Sequence, residues 1–544
     1  MQIYQLTTHN SLSLSLLREI NIMDSILGVS LLSWNFMALA VILPIAIFFI
    51  RSKTRSKPVS SNWPPGPKTL PVIGNMHLLS ALAFRSISEL AKQYGPLMRL
   101  KLGEVDTIVV SSREVAREML KQHDPCYADR PESIGIKVLW YNYRDIAFSP
   151  YGDYWRQMRK ICIMELLSPR SVRSFASIRT DEVSNLIASI RASAAAGNPV
   201  NISDSIFSMM SSVTCRAAFG KVSKDKDALI RILRDGIQMA GGFEIADFFP
   251  SSLIINTFSW TKIRLLMMRH RLDVILDGLI RQHQLNLAKI DRGSEDGERG
   301  RKGNGEFGNE DIIDVLLRVQ ETGELQFPIR KEDIKAVVYD MFSAGTETSS
   351  TAMDWAMAEL MRNPRVMAKA QAEVRRVFND ATIATMGDND QNLKYLKLVI
   401  REALRLHPPV PILPRASREE RVIGGYVIPA NVKVLVNNWG MQRDPAYWTN
   451  PDSFEPERFE DCSKEFLGAD FDFLPFGAGK RMCPGITFAM ASVELVLAQL
   501  LYHFDWKLPN GAQPESMEMI ENPGVTASRR DSLLAVPTPY NNSA

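Results

Sequence analysis

The segment Ile26–Ile50 carries no formal charge over 25 residues, and it limits the possible folds more than any other feature. As an α-helix it would extend over roughly 37 Å, enough to span a bilayer with some tilt. The apolar part of a signal peptide is shorter, about 7–15 residues, and a helix in a protein core usually keeps a polar face. The basic residues Arg51, Lys53, Arg55 and Lys57 follow directly. By the positive-inside rule, the segment predicts a single transmembrane helix followed by a cytosolic body.

This helix divides the chain into four predicted parts. They are a short lumenal tail (1–25), the transmembrane anchor (26–50), a basic and proline-rich linker (51–67) and one large soluble domain (68–544). Prolines stiffen the linker because they fix φ, so the linker is predicted to act as a rigid hinge. Residues 1–22 resemble neither an anchor nor a domain, and Met23 is a second candidate for the translation start.

Charge and cysteine content exclude several classes of protein. The chain has 64 basic and 61 acidic residues, so its net charge of +3 gives no reason to expect nucleic-acid binding. Five cysteines, none in a CxxC pair, are too few for a disulfide framework and favour a reducing compartment. No zinc pattern such as HExxH occurs, and His407, directly before Pro408, is predicted to be structural. Four cysteines are predicted to be buried or incidental thiols: Cys126, Cys162, Cys215 and Cys462.

The body is predicted to be mainly α-helical with smaller β-sheets. Alternation and β-branched residues from Leu97 onward predict a small sheet, and Ser112 is a candidate N-cap for the helix that follows. Long helical patterns dominate from about 150 to 410, and strand-like runs return at 421–438. The segment 291–310 contains six glycines among mixed charges, which predicts a surface loop.

The loop FGAGKRMCPG, from Phe476 to Gly485, has the composition of a thiolate ligand site. Glycines allow the backbone to approach a flat macrocycle, and backbone N–H groups can point at the sulfur of Cys483. Arg481 can neutralise a haem propionate. The strong helical pattern after the loop places Cys483 near a helix N-terminus, which stabilises a thiolate. The alternative is a glycine-rich turn that holds a structural cysteine.

This loop resembles the haem-binding loop of cytochromes P450, FxxGxRxCxG, at every fixed position. The resemblance implies haem b as cofactor, Cys483 as axial ligand of the iron, and haem contacts from Phe476, Gly477 and Arg481. Thiolate ligation favours cleavage of the O–O bond. Lys480 stands where plant members commonly have arginine, which conserves the charge.

Glu402 and Arg405 lie on one face of a predicted helix, since residues three apart are neighbours there. They match the ExxR pair of the family. The segment FEPERF resembles the one whose arginine, here Arg458, completes a structural triad. ExxR alone occurs by chance in most long chains, so the order of the three motifs carries the argument.

The segment AGTETS interrupts a long helical pattern with Gly345. Glycine weakens a helix, and threonine can bond back to the carbonyl four residues earlier and bend it. The segment resembles the oxygen-activation motif of the family, which implies catalytic roles for Thr348, as a hydroxyl beside dioxygen, and for Glu347, in proton supply. The alternative is a polar helix surface.

Three further residues are haem contacts by resemblance. Trp155 and Arg159 lie four apart on one helix and match the WxxxR motif, and Arg415 aligns with another propionate contact. A guanidinium fork suits a carboxylate. As isolated features, each would more often be a surface charge.

The resemblance extends from about Pro64 to Pro537 and is strongest to microsomal plant members, including terpene-oxidising ones. It implies a monooxygenase of the endoplasmic reticulum membrane that hydroxylates an apolar molecule, predicted to be a terpenoid. Its electrons would come from NADPH through a reductase. The predicted pocket includes Ala344, Val410, Ile412 and Leu413. The alternatives are a P450-fold isomerase or dehydratase that uses no dioxygen, and a non-catalytic membrane haem protein. The segment ENPGV at 521–525 departs from the family pattern.

Overall fold

The computed structural model describes residues 62–239, 244–252, 255, 259–293, 310–323, 325–378, 392–460, 464, 466 and 468–540. The predicted lumenal tail and anchor, most of the linker, most of the glycine-rich loop and Cys462 lie outside the described residues. Residues from Pro64 onward form a unit of their own.

Helices dominate the described chain, which confirms the predicted mainly helical class with small sheets. Ser112 caps its helix as predicted, because its side chain accepts a hydrogen bond from the Val115 N–H. The helices are α1 (Ala83–Tyr94), α2 (Arg113–Arg117), α3 (Ile134–Leu139), α4 (Asp153–Ile161), α5 (Pro169–Ser174), α6 (Ala176–Ala195), α7 (Ile202–Phe219), α8 (Lys226–Met239), α9 (Ile245–Phe248), α10 (Trp260–Gly293), α11 (Ile312–Thr322), α12 (Lys331–Arg362), α13 (Pro364–Val377), α14 (Lys394–Leu406), α15 (Asn438–Met441) and α16 (Ile486–His503).

The strands form small sheets beside the helices. They are β1 (Leu97–Leu102), β2 (Val105–Val110), β3 (Val200–Asn201), β4 (Leu413–Ala416), β5 (Arg421–Ile423), β6 (Tyr426–Ile428), β7 (Lys433–Val436), β8 (Phe504–Lys507) and β9 (Leu534–Pro539). One sheet has the order β1-β2-β7-β4, another β3-β9-β8, and β5 pairs with β6. The predicted sheet after Leu97 corresponds to β1 and β2, which are antiparallel.

Helix α12 runs through the core, and most of its 32 residues are buried. It packs most extensively against α7 and also contacts α14 and α16. At its crossing with α7, a Cβ added to Gly345 would lie 3.0 Å from Thr214 Cγ2, and the hydroxyls of Thr214 and Thr346 lie 2.6 Å apart. Glycine therefore permits the close approach of these two helices.

Helix α16 begins three residues after Cys483, and most of its side chains are buried in the core. Among the described residues it alone is long and apolar enough to cross a membrane, but 67% of its apolar window is buried inside the protein. Its buried side chains belong to the same apolar cluster as those of α13 and α14. It is therefore a core helix of this fold.

Candidate active site

The loop from Phe476 to Gly485 turns back on itself around Cys483. Gly477 and Gly479 adopt φ values of 71° and 69°, which L side chains rarely adopt. The N–H of Cys483 donates to the Phe476 carbonyl at 3.0 Å, and the N–H of Gly485 donates to Cys483 Sγ at 3.3 Å. The sulfur thus lies inside a tight backbone turn with one N–H group directed at it.

Asp124 fixes the position of this loop through a hydrogen bond to its backbone. Its carboxylate accepts a hydrogen bond from the Lys480 N–H at 2.6 Å. A Cβ added to Gly479 would lie 2.6 Å from the same carboxylate oxygens and from the Leu120 carbonyl. Glycine is therefore required at 479 by its backbone conformation and by the approach of its neighbours.

The charge state of Cys483 depends on opposing influences. Burial raises the pKa of its thiol above the ordinary value, and the Gly485 N–H and the nearby Arg159 guanidinium offset this rise only in part. Arg159 itself donates to the Met482 carbonyl beside the cysteine. A sulfur with an N–H donor and a cation next to it is suited to serve as a thiolate ligand of a metal.

Four arginines lie near one another beside the loop: Arg130, Arg159, Arg415 and Arg481. Burial is the largest cause that lowers the pKa of each guanidinium. For Arg130, Arg415 and Arg481, the positive charges of other arginines in the cluster lower the pKa further. The pKa of Arg481 falls to about 9 and that of Arg415 to about 10. Arg415 and Arg481 are buried, and buried cations are costly unless anions balance them.

This arginine cluster fits a ligand that carries carboxylates. Among the described residues, no carboxylate forms an ion pair with any of its four members, and they donate mainly to backbone carbonyls. Arg415 Nε is buried and has no hydrogen-bond partner in the described part of the chain. Haem carries two propionates, which would suit these donors beside the cysteine loop, so the residues present fit the group.

Trp155, a predicted haem contact, lies against the arginine cluster. Its Nε1 donates a hydrogen bond of 2.9 Å to the Ile146 carbonyl. The guanidinium of Arg481 lies 4.5 Å from the centre of the Trp155 ring, and that of Arg159 lies 5.3 Å away. The ring of Trp155 therefore lies within cation–π distance of both guanidinium groups.

Glu402, Arg405 and Arg458 meet in a cluster that is mostly buried. Arg405 donates to both oxygens of Glu402 at 2.8 Å, and both side chains are fully buried. Arg458 Nε donates to Glu402 Oε1 at 2.9 Å. Arg405 also donates to the carbonyls of Gln442 and Pro451 at 2.8 and 2.7 Å. The three residues thus join α14 to the segment that precedes the cysteine loop.

One face of α12, around Ala344 and Thr348, is not covered by other described residues, although most of the helix is buried, and we call it the open face of α12. Ala344 is exposed and Thr348, one turn later, is half-buried. The hydroxyl of Thr348 donates to the Ala344 carbonyl at 2.7 Å, as predicted for a threonine that bends the helix. This open face is where a ligand can reach the helix.

Glu347 lies beside this face and is largely buried. Burial raises the pKa of its carboxyl to about 7, against the opposing influence of Arg234 on α8. A carboxyl with a pKa near neutrality can both hold and release a proton at physiological pH. Its position next to Thr348 suits the predicted role in proton supply.

The predicted pocket residues differ in exposure. Ala344 is exposed, whereas Val410 and Ile412 are half-buried. Leu413 is buried, and its methyl groups lie about 4 Å from where a Cβ of Gly477 would be. Leu413 therefore lies against the cysteine loop at Gly477.

His407 and three of the cysteines outside the loop are buried in the protein. His407 stacks on the Trp355 ring at 3.9 Å, and its Nε2 lies 2.7 Å from Glu359 Oε1, which confirms the structural role predicted for it. Cys126, Cys162 and Cys215 are buried free thiols, as predicted.

Several residues of the site were not predicted from the sequence. Arg130 and Asp124 belong to no motif and have no periodic partner. Asp340, whose carboxylate accepts hydrogen bonds from the N–H groups of Ile146 and Ala147 close to the arginine cluster, had a signal. It is the one charge in the apolar run from Ala336 to Phe342, and such a residue is buried with a partner more often than exposed.

Comparisons with known proteins cover nearly the whole described chain. Residues 64–533 match the sequence profile of the family described as Cytochrome P450. Cytochrome P450 71D13 of Mentha piperita is 50% identical over 93% of this chain and 98% of its own length. Premnaspirodiene oxygenase of Hyoscyamus muticus is 50% identical over 91% of this chain and 97% of its own. The corresponding values for 5-epiaristolochene 1,3-dihydroxylase of Nicotiana tabacum are 49%, 91% and 97%.

The fold also resembles solved structures. A zebrafish cytochrome P450 solved with progesterone has a TM-score of 0.69 and 24% sequence identity, and the match covers 84% of this chain and 99% of the other. At this identity the likeness concerns the fold alone.

Proposed function

The chain belongs to the cytochrome P450 family, and we propose that it hydroxylates a terpenoid with electrons that come from NADPH through a reductase. As a family member it is a haem-b monooxygenase that acts with dioxygen, a redox partner and an apolar substrate. The terpenoid assignment rests on about 50% identity to premnaspirodiene oxygenase and 5-epiaristolochene 1,3-dihydroxylase.

The observation that carries the proposed chemistry is the turn around Cys483, with its N–H donor and adjacent cluster of arginines. We assign Cys483 as the residue that would ligate the haem iron, and Arg415, Arg481, Arg159 and Arg130 as the cations that would hold the propionates. When bound, haem supplies an iron centre at which dioxygen is activated. The Gly485 N–H tunes the electron donation of the sulfur.

Glu347 and Thr348 are proposed to supply protons to the reaction. The Thr348 hydroxyl lies on the open face of α12, where its hydrogen bond to Ala344 fixes its position. Glu347 holds a proton below about pH 7 and lies one residue away. Val410 and Ile412 are proposed to exclude water and to contact the apolar substrate.

Two measurements test the proposed activity. The reduced carbon monoxide complex should show the red-shifted Soret band of a thiolate ligand. Reconstitution with NADPH, P450 reductase and a sesquiterpene hydrocarbon should then yield a hydroxylated product. Thiolate ligation together with product formed without dioxygen would favour an isomerase, and the absence of any turnover in a broad substrate screen would favour a non-catalytic haem protein.

A first prediction concerns Thr348→Ala. We expect haem and substrate binding to persist, with more peroxide formed and less product per NADPH consumed, because the positioned hydroxyl is lost. Ser350→Ala is a suitable control, since the Ser350 hydroxyl is buried and also bonds back to a carbonyl four residues earlier. Unchanged product and peroxide yields in Thr348→Ala would remove this hydroxyl from the mechanism.

A second prediction concerns pH. Burial raises the pKa of Glu347 to about 7, so the carboxyl is protonated below that value and ionised above it. We therefore expect the yield of product per NADPH to fall as pH rises through about 7, and to be low and independent of pH in Glu347→Gln. Reduction of cytochrome c by the reductase controls for the partner. The same pH profile in both forms would contradict the proposal.

We also propose that residues 26–50 anchor the protein in the endoplasmic reticulum membrane by a single span, with the catalytic domain in the cytosol. The uncharged length of the segment and the basic residues after it support this topology. A chain that starts near Ser60 should still bind haem and should partition less to membranes. Loss of haem incorporation in this chain would contradict the separation of anchor and domain.

The reductase is proposed to dock beside the cysteine loop. Trp155 and Arg159 face the site from α4, whereas Arg156 and Lys160 are exposed on the same helix, and Lys480 is exposed in the loop. A basic surface there would steer an acidic partner. Arg156 also pairs with Asp153, which reduces its contribution.

A further inference from the structure

The backbone segment Asp145–Ser149 is held by two buried carboxylates. Asp145 Oδ1 accepts hydrogen bonds from the N–H groups of Phe148 at 2.6 Å and Ser149 at 3.3 Å. Asp340 Oδ2, on α12, accepts hydrogen bonds from the N–H groups of Ile146 and Ala147 at 3.3 Å each. Four consecutive N–H groups are thus satisfied by side chains, although this segment lies in neither a helix nor a strand.

The carbonyls of the same segment point towards the arginine cluster. The Ile146 carbonyl accepts from Trp155 Nε1 at 2.9 Å and from Arg481 at 3.3 Å. The Ala147 carbonyl accepts from Arg130 Nε at 2.9 Å, and the Ser149 carbonyl accepts from Arg481. One short segment therefore connects the two carboxylates with two of the arginines proposed to bind haem.

The charges of the two carboxylates also link them to the arginine cluster. Asp145 and Asp340 are almost fully buried. Burial raises the pKa of Asp340 to about 6. The pKa of Asp145 is raised mainly by burial and further by the negative charge of Asp340. Asp145 Oδ2 has no hydrogen-bond partner in the described part of the chain. Both carboxyls also act electrostatically on Arg130, whose guanidinium they stabilise in its charged form.

We propose that Asp340 is a positioning residue for the haem propionates: it holds segment 145–149 so that the segment's carbonyls orient Arg130 and Arg481. The inference rests on the proposed assignment of these arginines to the propionates. Asp340 reaches the haem only through the segment and the guanidinium groups, and Asp145 holds the other half of the same turn.

The test compares haem release and propionate vibrations in variants of the full-length holoprotein. In Asp340→Ala, the N–H groups of Ile146 and Ala147 lose their acceptor, so transfer of haem to excess apomyoglobin should accelerate by about tenfold. The propionate bending band in the resonance Raman spectrum should shift at the same time. In Asp340→Asn, whose side-chain oxygen can still accept both hydrogen bonds, both properties should return to wild-type values within about twofold.

Asp354→Ala is the matched control. Asp354 lies on the same helix, is buried, and has a pKa that burial also raises to about 6, but it accepts its hydrogen bond from Ser203 on α7. It should lower stability without a shift of the propionate band. An equal band shift in Asp354→Ala, or unchanged haem release and an unchanged band in Asp340→Ala, would overturn the proposal.

Two further results are decisive in either direction. If Asp340→Ala yields no folded protein, Asp340→Asn still decides the question, because rapid haem release from a folded Asn variant contradicts a role as hydrogen-bond acceptor and slow release supports it. Arg481→Lys separates this inference from the assignment beneath it. An unshifted propionate band in Arg481→Lys would mean that Arg481 does not bind a propionate, whereas a shift there with none in Asp340→Ala refutes the positioning role alone.

Discussion

In Cys483→Ser, we expect the reduced carbon monoxide complex to lose its red-shifted Soret band and turnover to fall by more than about a thousandfold, equivalent to roughly 4 kcal/mol of activation barrier. A serine hydroxyl is a far weaker electron donor to iron than a thiolate, and it holds its proton at neutral pH. The Gly485 N–H that is directed at the sulfur would then face a neutral oxygen. The absorbance spectrum and product assays measure the two effects.

Cys126→Ser is the control for this substitution. Cys126 is another free thiol, and its sulfur has hydrogen-bond partners outside the loop, Glu419 and Arg421. It should keep the thiolate band and normal turnover. If Cys483→Ser kept the band as well, another residue would have to be the iron ligand, and the proposed site would be wrong.

The second large effect is expected from Glu402→Leu. This change leaves the guanidinium of Arg405 buried without its carboxylate, and removing one partner of a buried ion pair costs about 3–5 kcal/mol. Domains are stable by only about 5–15 kcal/mol, so little haem-loaded protein should be recovered. The haem content per polypeptide and the temperature at which haem is lost report the effect.

An exposed pair of the same spacing provides the comparison. Glu89 and Lys92 also lie three residues apart on a helix, but about 70% of each side chain is exposed. Glu89→Leu should leave haem content and stability nearly unchanged, because exposed ion pairs contribute little. Normal haem content and thermal stability in Glu402→Leu would show that the buried triad is dispensable.

The sequence predicted the parts of the site whose chemistry requires a fixed spacing. Glu402 and Arg405 are three residues apart because one helix turn must bring both to one face. The glycines before Cys483 are required by backbone conformations that other residues rarely adopt. Such constraints act over a few positions and are visible without a structure.

Contacts made through backbone groups were not predictable. Arg130 and Asp340 meet through the N–H and carbonyl groups of segment 145–149, and backbone groups leave no trace in residue identity. The hydrogen bond from Trp155 Nε1 to the Ile146 carbonyl could not be foreseen either, since nothing in the sequence places that carbonyl within reach of the indole.

Tertiary contacts also impose conformations that local sequence disfavours. Tyr141, Asn142 and Tyr143 have φ values of 55°, 54° and 61° although none is glycine. The Arg269 guanidinium lies 3.2 Å from the centre of the Tyr141 ring, and the Tyr141 hydroxyl donates to Asp273 at 3.0 Å. Both partners come from α10, far along the chain, so the turn could not be foreseen from residues 141–143 alone.

The pairing of β3 with β9 has a consequence for how the protein is made. Strand β3 has two residues, and its partner in the sheet is β9, where Val200 lies opposite Ala535. A ribosome releases Val200 long before it has synthesised Ala535, so β3 cannot find this partner while the chain is growing. Cys483 also emerges late. The sheet β3-β9-β8 therefore forms only after synthesis has passed β9, and the nascent chain must avoid aggregation until then.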